Sequence, residues 1–332
     1  MRFIVGGQWL VTLKDVARRA GVSVSTASYS INGSPLITDD TKEKVLSAAK
    51  EIGYRPNGLA KNLKEQKTNI IGLFLSGFTG PFFNEMVEGI QDVVMQNKYE
   101  LMVCATADTH RLLVERYVDG AIILNYHIEN ELLCSIASDK LPCVVLDREL
   151  ETPNIKSVLL PNEEGSTIIV HYLLEKGHTS LGYIAGSTAS YDGEARLRGF
   201  IKELERQGIA FFERNLIRAD FTEVSGYREM NRYLENASHE LPTVFVCAND
   251  EMALGAMKAI QKQGLRVPED IAVVGFDDIY MSRFFTPPLT TISVPRKEWG
   301  KTAARTLFKM LDPNYAEDPG EFSIKINSRA SG

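Results

Sequence analysis

From about residue 70 to residue 311, short apolar runs alternate with amphipathic stretches of helical length, and this alternation constrains the fold most. Apolar runs without polar alternation are typical of parallel strands buried on both faces. The pattern occurs twice, with a break near residues 160–162, which predicts two doubly wound α/β lobes with a cleft between them. The predicted strands are 70–75, 99–104, 120–124, 143–147, 180–185, 243–247 and 271–276, and the predicted helices are 81–96, 164–176, 195–207, 222–234, 251–263 and 296–311.

Composition narrows the class of protein. The residues are 44% apolar and 24% charged, which is ordinary for a globular protein. A length of 332 residues is enough for about two domains and one additional small domain. No run approaches 18 consecutive apolar residues, and the first ten residues lack the features of a signal peptide. We therefore expect a cytoplasmic protein that does not bind a membrane. The four cysteines show neither a CxxC pair nor metal-ligand spacing, so we expect reduced thiols and no metal or cofactor.

Residues 12–67 differ from the rest of the chain in charge. They hold ten Lys and Arg residues and six acids, a balance of +4. Because the whole chain has a net charge of −6, the remaining residues together carry −10. A basic segment on an acidic chain favours contact with a polyanion through that segment. A solvated helical surface would show the same balance, so charge alone does not separate the two interpretations.

The same segment predicts three short helices that form a helix-turn-helix unit. The first begins after Thr12 and stops at Gly21, a residue that accepts left-handed backbone. The second, residues 24–31, begins after Ser23, and the third ends at Gly53. The predicted inward faces are Leu13, Val16, Ala17 and Ala20 in the first helix, Ala27 and Ile31 in the second, and Val45, Leu46, Ala49 and Ile52 in the third.

The second helix is the predicted DNA-contacting element. It is rich in small hydroxyl residues, which let a helix enter the major groove and hydrogen-bond with base edges and phosphates. A helix exposed only to solvent would more often carry Glu and Lys.

Residues 12–75 resemble the lactose-repressor/galactose-repressor (LacI/GalR) family of bacterial transcription regulators. The marks are TLKDVARRAGVS at 12–23, then Thr26, Ser28 and Asn32, then IGYRPN at 52–57 and the linker GLAKNLKEQKTNIIGL. The resemblance implies a homodimer whose body is two-lobed and periplasmic-binding-protein-like. The implied divisions are a DNA-binding domain over 12–56, a hinge helix and linker over 57–68, and an effector-binding and dimerisation domain over 69–332, with an N-lobe of about 69–160 and 294–320 and a C-lobe of about 161–290 and 321–332.

The resemblance also implies which residues contact DNA. The family reads bases mainly from three positions of the second helix, which here hold Val24, Ser25 and Tyr29. Many members carry Arg at the Tyr29 position; because Tyr cannot make a bidentate contact to guanine, we expect a different operator sequence. Leu63 matches the hinge leucine that enters the minor groove and kinks the duplex, although it could instead pack on the body. The expected DNA-binding residues are Thr12, Ser23, Val24, Ser25, Thr26, Ser28, Tyr29, Asn32 and Leu63.

Polar and aromatic residues follow several predicted strands, where ligands bind in open α/β sheets. Carboxylate, amide and guanidinium groups each bind two neighbouring hydroxyls, and aromatic faces stack on sugar rings, so this set suits a sugar or another small polyol. The alternative for Asp147 is a capped strand end, whereas Asp250 and Asp278 are expected to cap helices or turns and Trp299 to pack. By residue type and resemblance, the expected ligand-binding residues are Phe82, Phe83, Asp147, Arg196, Phe221, Asn249 and Asp277.

We expect no enzyme, because the sequence has no GxSxG, Walker or GxGxxG motif and its histidines do not cluster. The favoured function is a ligand-responsive repressor of carbohydrate-utilisation genes that binds double-stranded, palindromic operator DNA as a homodimer. Its expected effector is a sugar or sugar phosphate. Two alternatives stay open: a global catabolite-control regulator whose main effector is a phosphorylated carrier protein, and a solute-binding protein. The basic segment and the lack of a signal peptide count against the second.

Overall fold

The computed structural model describes residues 4–5, 8–9, 11–56, 62, 66–77, 80–105 and 110–332. The chain divides into two compact units, Met1–Lys67 and Thr68–Gly332. A short antiparallel pair, β1 (Ile4–Val5) and β2 (Gln8–Trp9), begins the first unit. The predicted hinge leucine, Leu63, lies outside the described residues, as does the rest of the predicted hinge helix apart from Asn62.

Three helices follow in the first unit: α1 (Leu13–Ala20), α2 (Val24–Ile31) and α3 (Asp39–Glu51). Thr12 precedes α1, and its backbone N–H donates to Asp15 Oδ2 at 3.0 Å. Gly21 ends α1 with a φ of 65°, the left-handed conformation that glycine adopts without strain. The predicted helix-turn-helix unit is therefore present, around a small core of Val16, Ala17, Ala20, Ala27, Val45, Ala48 and Ala49.

One prediction about the inward faces is wrong. Leu46 is 51% exposed, and Ala48, at 6%, lies inward instead. The inward stripe of α3 starts at Val45 and continues three, four and seven residues on, and Leu46 is rotated about 100° away from Val45. In α2 the predicted inward residues Ala27 and Ile31 both pack in this core, Ile31 from a half-buried position. Ser30 is buried as well, and its hydroxyl donates to the Thr26 carbonyl at 2.8 Å.

The N-lobe of the second unit contains a parallel sheet of β3 (Ile70–Leu75), β4 (Glu100–Ala105), β5 (Gly120–Leu124), β6 (Cys143–Val145) and β7 (Ile155–Ser157). Its strand order is β4-β3-β5-β6-β7, which is doubly wound. The helices α4 (Phe83–Gln96), α5 (Arg111–Val114) and α6 (Asn130–Ile136) connect these strands. Helix α5 is one turn long, because few residues separate β4 from β5.

The C-lobe repeats this arrangement. Its strands are β8 (Leu181–Ala185), β9 (Leu216–Arg218), β10 (Val244–Cys247), β11 (Ala272–Asp277), β12 (Thr290–Ser293) and β13 (Lys325–Asn327). The order is β13-β12-β11-β10-β8-β9, parallel except for β13. The helices are α7 (Asn162–Glu175), α8 (Tyr191–Arg206), α9 (Glu223–Asn236) and α10 (Asp250–Lys262).

Helix α11 (Arg296–Leu311) returns the chain to the N-lobe, where it packs on α4 and the neighbouring strands. The chain therefore passes between lobes after β7, after β12 and before β13. Helices α4 and α11 approach each other closely at Gly89. A Cβ at this position would overlap the Lys297 carbonyl oxygen, so only glycine fits there. The prediction that Trp299 packs is confirmed: it is fully buried, and its Nε1 donates to Val158 O at 2.8 Å.

Within the described residues, no helix is both long and apolar enough to cross a membrane. The same residues contain no group of three or more His, Cys, Asp or Glu side chains that could hold a metal ion.

Candidate ligand and DNA sites

A cavity of about 500 Å³ lies between the two lobes. It is formed where strands of both sheets reach their carboxyl ends, the place at which doubly wound folds bind ligands. The N-lobe lines it with Ser76, Gly77, Phe82, Phe83, Leu124, Tyr126 and Asp147, and the C-lobe lines it with Ser187, Ser190, Tyr191, Asp192, Arg196, Asp220, Phe221, Thr222, Asn249, Glu251 and Asp277.

All seven residues expected to bind ligand line this one cavity. Sequence reasoning missed three conspicuous members of the wall: Tyr126, Asp192 and Glu251. Tyr126 and Glu251 each follow a predicted strand within a few residues, so their distance from a strand end was a usable signal. Asp192 precedes Arg196 by four residues in α8, one turn nearer the N-terminus, which places both on the same face.

Arg196 is buried in the wall, and most of its guanidinium is already engaged. Its Nε donates to Asn162 Oδ1 at 2.9 Å and its Nη1 to Ala248 O at 2.6 Å. The guanidinium carbon lies 3.8 Å from the centre of the Phe276 ring, a cation–π contact. These contacts fix the orientation of Arg196 before any ligand arrives.

Asp277 is the acidic partner of Arg196. Its Oδ1 lies 3.3 Å from Arg196 Nη1, an ion pair that lacks hydrogen-bond alignment, and this oxygen is buried without another donor among the described residues. Burial raises the pKa of Asp277, and the nearby charge of Arg196 opposes that shift. The backbone of Asp277 has a φ of 115°, an uncommon conformation for a residue other than glycine.

Arg296 holds this strained strand end from behind. Its Nη1 donates to the Asp277 carbonyl, and its Nη2 lies 3.3 Å from Asp278 O and 3.1 Å from Glu85 Oε2. Glu85 belongs to the first turn of α4 in the N-lobe, whereas Asp277 ends β11 in the C-lobe. A single buried side chain therefore links the two lobes at the second crossing between them.

Asp147 is neutralised by the next residue in the chain. Arg148 makes a bidentate pair with it, Nε to Oδ1 at 2.9 Å and Nη2 to Oδ2 at 3.0 Å. Arg148 also donates to the carbonyls of Asn125 and Ile128, at 2.6 Å and 2.7 Å, which secures the loop after β5. Asp147 thus lines the cavity as half of an ion pair.

Asn249 positions an aromatic wall. Its Oδ1 accepts from Met252 N at 2.9 Å, which caps α10, and its Nδ2 donates to Phe221 O at 2.9 Å. Phe221 has a φ of 69°, and its ring covers Gly186, where a Cβ would overlap it. The ring therefore has a fixed place on the C-lobe side of the cavity.

The N-lobe supplies the opposite aromatic surface. Phe82 and Phe83 precede and begin α4, and their rings meet edge to face with centroids 5.6 Å apart. The ring of Phe82 also packs 6.1 Å from that of the buried Trp299. This packing supports the two phenylalanines from behind.

Besides Asp277, two carboxylates at the cavity have raised pKa values. Burial raises the pKa of Asp192 to about 6, and its Oδ1 accepts from Asn162 Nδ2 at 2.6 Å. Burial, together with the negative charges of Asp277 and Glu223, also raises the pKa of Glu251.

Asp250 and Asp278 hold the loop that follows β11. The prediction that Asp250 caps a helix is wrong, because Asn249 is the cap; Asp250 accepts from Ile279 N at 2.9 Å and from Thr291 Oγ1 at 2.5 Å. Burial raises the pKa of Asp250 well above its usual range. Asp278 accepts from Ser282 Oγ at 3.1 Å within the turn, but it also forms an ion pair with Arg329 at 2.5 Å, so its role is not only the predicted local one.

In the first unit, α2 presents three of the predicted base-reading residues to the outside. Val24 is 42% and Tyr29 50% exposed, and Ser25 is exposed as well. The other predicted DNA-contacting residues over 12–32 form hydrogen bonds within the unit. Ser23 Oγ accepts from Thr26 N at 3.0 Å, and Thr12 Oγ1 donates to Asp15 Oδ2 at 2.7 Å. The carbonyl of Ser28 accepts from Asn32 Nδ2 at 2.9 Å, which closes the end of the helix.

A helix-turn-helix unit and a two-lobed α/β unit with a ligand-sized cavity define the class of ligand-responsive DNA-binding regulators. Residues 12–57 match the lacI family of bacterial regulatory proteins, and residues 170–331 match the periplasmic binding protein-like domain. The HTH-type transcriptional repressor PurR of Aliivibrio fischeri is 33% identical over 97% of this chain and 98% of its own length. PurR of Mannheimia succiniciproducens is 34% identical over 91% of this chain and 92% of its own.

Solved structures agree with these matches. The lac repressor dimer bound to operator and the anti-inducer ONPF superposes with a TM-score of 0.82 at 29% identity, covering 97% of this chain and 98% of that one. The complex of the transcriptional regulator CelR with cellobiose gives 0.72 at 29% identity, covering 97% and 100%. The chain belongs to the lacI family of bacterial regulatory proteins, so the predicted family and fold class are confirmed.

Proposed function

We propose that this regulator represses carbohydrate-utilisation genes by binding a pseudo-palindromic operator as a homodimer, and that a hydroxylated ligand in the interlobe cavity sets its operator affinity. The observation that carries the proposal is the cavity itself, which gathers polar and aromatic side chains at the strand ends of a chain with a helix-turn-helix unit. Relatives described as a repressor dimer on operator and as a cellobiose complex support it. Such a protein acts in the cytoplasm, where operator DNA is, and catalyses no reaction.

The division of labour follows the predicted boundaries. Residues 12–56 bind DNA, residues 57–68 form the hinge, and residues 69–332 bind ligand and dimerise. Closure of the two lobes around a ligand changes whether the two hinge segments of the dimer fold on DNA. Linkage makes this coupling reciprocal, with a typical free energy of about 1–3 kcal/mol.

On DNA, the exposed Val24, Ser25 and Tyr29 read bases, while Thr12, Ser23, Thr26, Ser28 and Asn32 fix the helix and contact phosphates. Apolar and hydroxyl groups at the reading positions favour thymine methyl contacts over bidentate contacts to guanine. Leu63 enters the central minor-groove step and kinks it. In the cavity, Phe82, Phe83, Asp147, Arg196, Phe221, Asn249 and Asp277 bind or position the ligand.

Selection from random double-stranded DNA with the full-length protein tests the proposal. We expect a pseudo-palindromic consensus, because two-fold protein symmetry imposes two-fold symmetry on the site. Binding should weaken steeply with salt, through Lys and Arg contacts to phosphates. If no sequence is enriched, or if enriched sites lack two-fold symmetry, the proposal is wrong. The role of Leu63 is tested by measuring the DNA bend in a fluorescence assay. If Leu63→Ala bends the operator as much as wild type does, Leu63 does not kink the DNA.

A further inference from the structure

The charges that face the cavity are unbalanced. Among its described lining residues, five are acids and one, Arg196, is a base. Two of the acids are compensated: Asp147 by Arg148 and Asp277 by Arg196. The other three are Asp192, Asp220 and Glu251.

The hydrogen bonds of these three acids do not supply the missing positive charge. Asp192 accepts from the neutral amide of Asn162 at 2.6 Å. Asp220 Oδ1 accepts from the Thr222 hydroxyl at 2.6 Å and from its backbone N–H at 3.1 Å. Glu251 lies across from Gly80 of the N-lobe, where a Cβ would be 2.5 Å from Glu251 Oε1. Burial raises the pKa values of Asp192 and Glu251, and nearby negative charges add to both shifts.

Arg196 is a poor clamp for an anion in this setting. Phosphate is best bound by a guanidinium fork that offers two free N–H groups side by side. Here Nε and Nη1 already donate to Asn162 and Ala248, and one face covers the Phe276 ring. Asp277 cancels its charge from 3.3 Å away.

The helix N-termini on the C-lobe side of the cavity are also occupied, whereas α4 on the N-lobe side has no side-chain cap among the described residues. Helix N-termini are common phosphate sites because their free N–H groups and dipoles attract anions. Here the protein supplies its own caps: Ser190 Oγ for Gly193 N at 3.1 Å, Thr222 Oγ1 for Ser225 N at 3.2 Å and Asn249 Oδ1 for Met252 N at 2.9 Å. The first turns of these three helices also carry acids, Asp192 and Glu194, Glu223, and Asp250 and Glu251.

We propose that the effector is an uncharged polyhydroxylated compound and that the cavity rejects its phosphate ester. The unpaired carboxylate oxygens accept hydrogen bonds from ligand hydroxyls, and the rings of Phe83 and Phe221 cover its apolar faces. On the C-lobe side a phosphate would meet like charges, an Arg196 guanidinium that is already engaged, and three helix N-termini that already have caps. This inference rests on the proposed function and narrows its ligand class from sugars and sugar phosphates to sugars without phosphate.

Matched pairs of probes test the proposal on the full-length protein by thermal unfolding: glucose and glucose 6-phosphate, galactose and galactose 6-phosphate, and cellobiose and its 6′-phosphate. A ligand that binds the folded state raises the transition temperature. We expect at least one uncharged member to raise it by several degrees and its phosphate to leave it within 1 °C, an order-of-magnitude criterion. A phosphate that stabilises as strongly as its uncharged partner, or a panel in which no uncharged member acts, overturns the proposal. Operator selection without ligand tests the repressor function independently.

A charge-neutral variant tests the cause. In Asp192→Asn combined with Glu251→Gln, we expect the ratio of the phosphate's Kd to that of its uncharged partner to fall at least about tenfold. The matched control is Glu240→Gln, an exposed residue that precedes the amino end of β10, at the edge of the sheet opposite the cavity. If the ratio is unchanged in the double variant, or falls equally in the control, the carboxylates do not cause the discrimination.

Discussion

The two lobes share one strand order but contribute different chemistry to the cavity between them. The N-lobe supplies aromatic and apolar side chains and one acid that Arg148 neutralises. The C-lobe supplies the buried Arg196–Asp277 pair and the three lining acids that form no ion pair among the described residues. We call the C-lobe side the polar half because it carries most of these charges, although Phe221 also belongs to it, and we call the N-lobe side the aromatic half. Substitutions in the two halves should therefore have different consequences.

The largest effect is expected from Arg196→Ala. Removing Arg196 leaves Asp277 buried without its cation, which typically costs about 3–5 kcal/mol of unfolding free energy. Urea unfolding measures this loss. The double variant Arg196→Met with Asp277→Asn should recover most of the stability while still failing to respond to ligand. A single variant as stable as wild type would show that the pair does not organise the C-lobe.

Next in size is Arg296→Met, which breaks the link between the lobes. It leaves the carbonyls of Asp277 and Asp278 short of a donor, and we expect a loss of about 2–4 kcal/mol in unfolding free energy. Glu85→Gln is the matched control; because Glu85 is half-exposed, we expect no more than about 1 kcal/mol from it. Equal losses would mean that the ion pair, and not the contacts to the strand end, accounts for the role of Arg296.

The pH dependence of stability should reveal Asp192. Its pKa of about 6 in the folded protein lies above its ordinary value of 3.8, so the folded state binds this proton more tightly than the unfolded state. The contribution of Asp192 to stability is therefore largest below about pH 4 and is lost as pH rises to about 6, by about 1–3 kcal/mol after allowance for partial exposure. Urea unfolding of wild type and Asp192→Asn at pH 4, 5 and 6 measures the difference. Parallel curves for the two proteins would contradict this assignment.

The smallest effect is expected in the N-lobe. Phe83→Ala removes ring contact with the ligand while the polar half stays intact, so we expect the Kd of the best uncharged probe to rise about tenfold, or about 1.4 kcal/mol. Phe212→Ala is the control, because Phe212 is half-exposed and stacks with Arg214. Titration calorimetry measures both. A complete loss of binding in Phe83→Ala would show that the aromatic half also orients the ligand.

The elements that could be predicted are those whose signal lies in a long run of sequence. Seven of the strands follow from apolar runs, and α11 has the bounds that its periodicity predicts. The strands β7, β9, β12 and β13 have three or four residues each and contain polar side chains, so no apolar run marks them. In β12, Thr291 is buried because its hydroxyl donates to Asp250, a partner 41 residues away.

The residues of the cavity could also be predicted only in part. Asp147, Asn249 and Asp277 lie at or just after the ends of predicted strands, and strand ends meet at one edge of a sheet. The charge balance could not be predicted, because it depends on which side chains pair. Asp147 is neutralised by its neighbour Arg148, whereas Glu251 faces a loop of the other lobe. The prediction that Leu46 faces inward was wrong for a simpler reason. Val45 and Leu46 are adjacent apolar residues, so the sequence does not show which of them lies on the inward face of α3.

The most direct test of the account is operator binding by fluorescence anisotropy, with and without a saturating concentration of the best uncharged probe. It compares wild type with the double variant Arg196→Met and Asp277→Asn. We expect the probe to change the operator affinity of wild type about 5- to 150-fold, the range of typical coupling free energies. In the double variant the change should be less than about twofold, with ligand-free affinity close to wild type. Equal responses in the two proteins would contradict the claim that the interlobe cavity controls DNA binding.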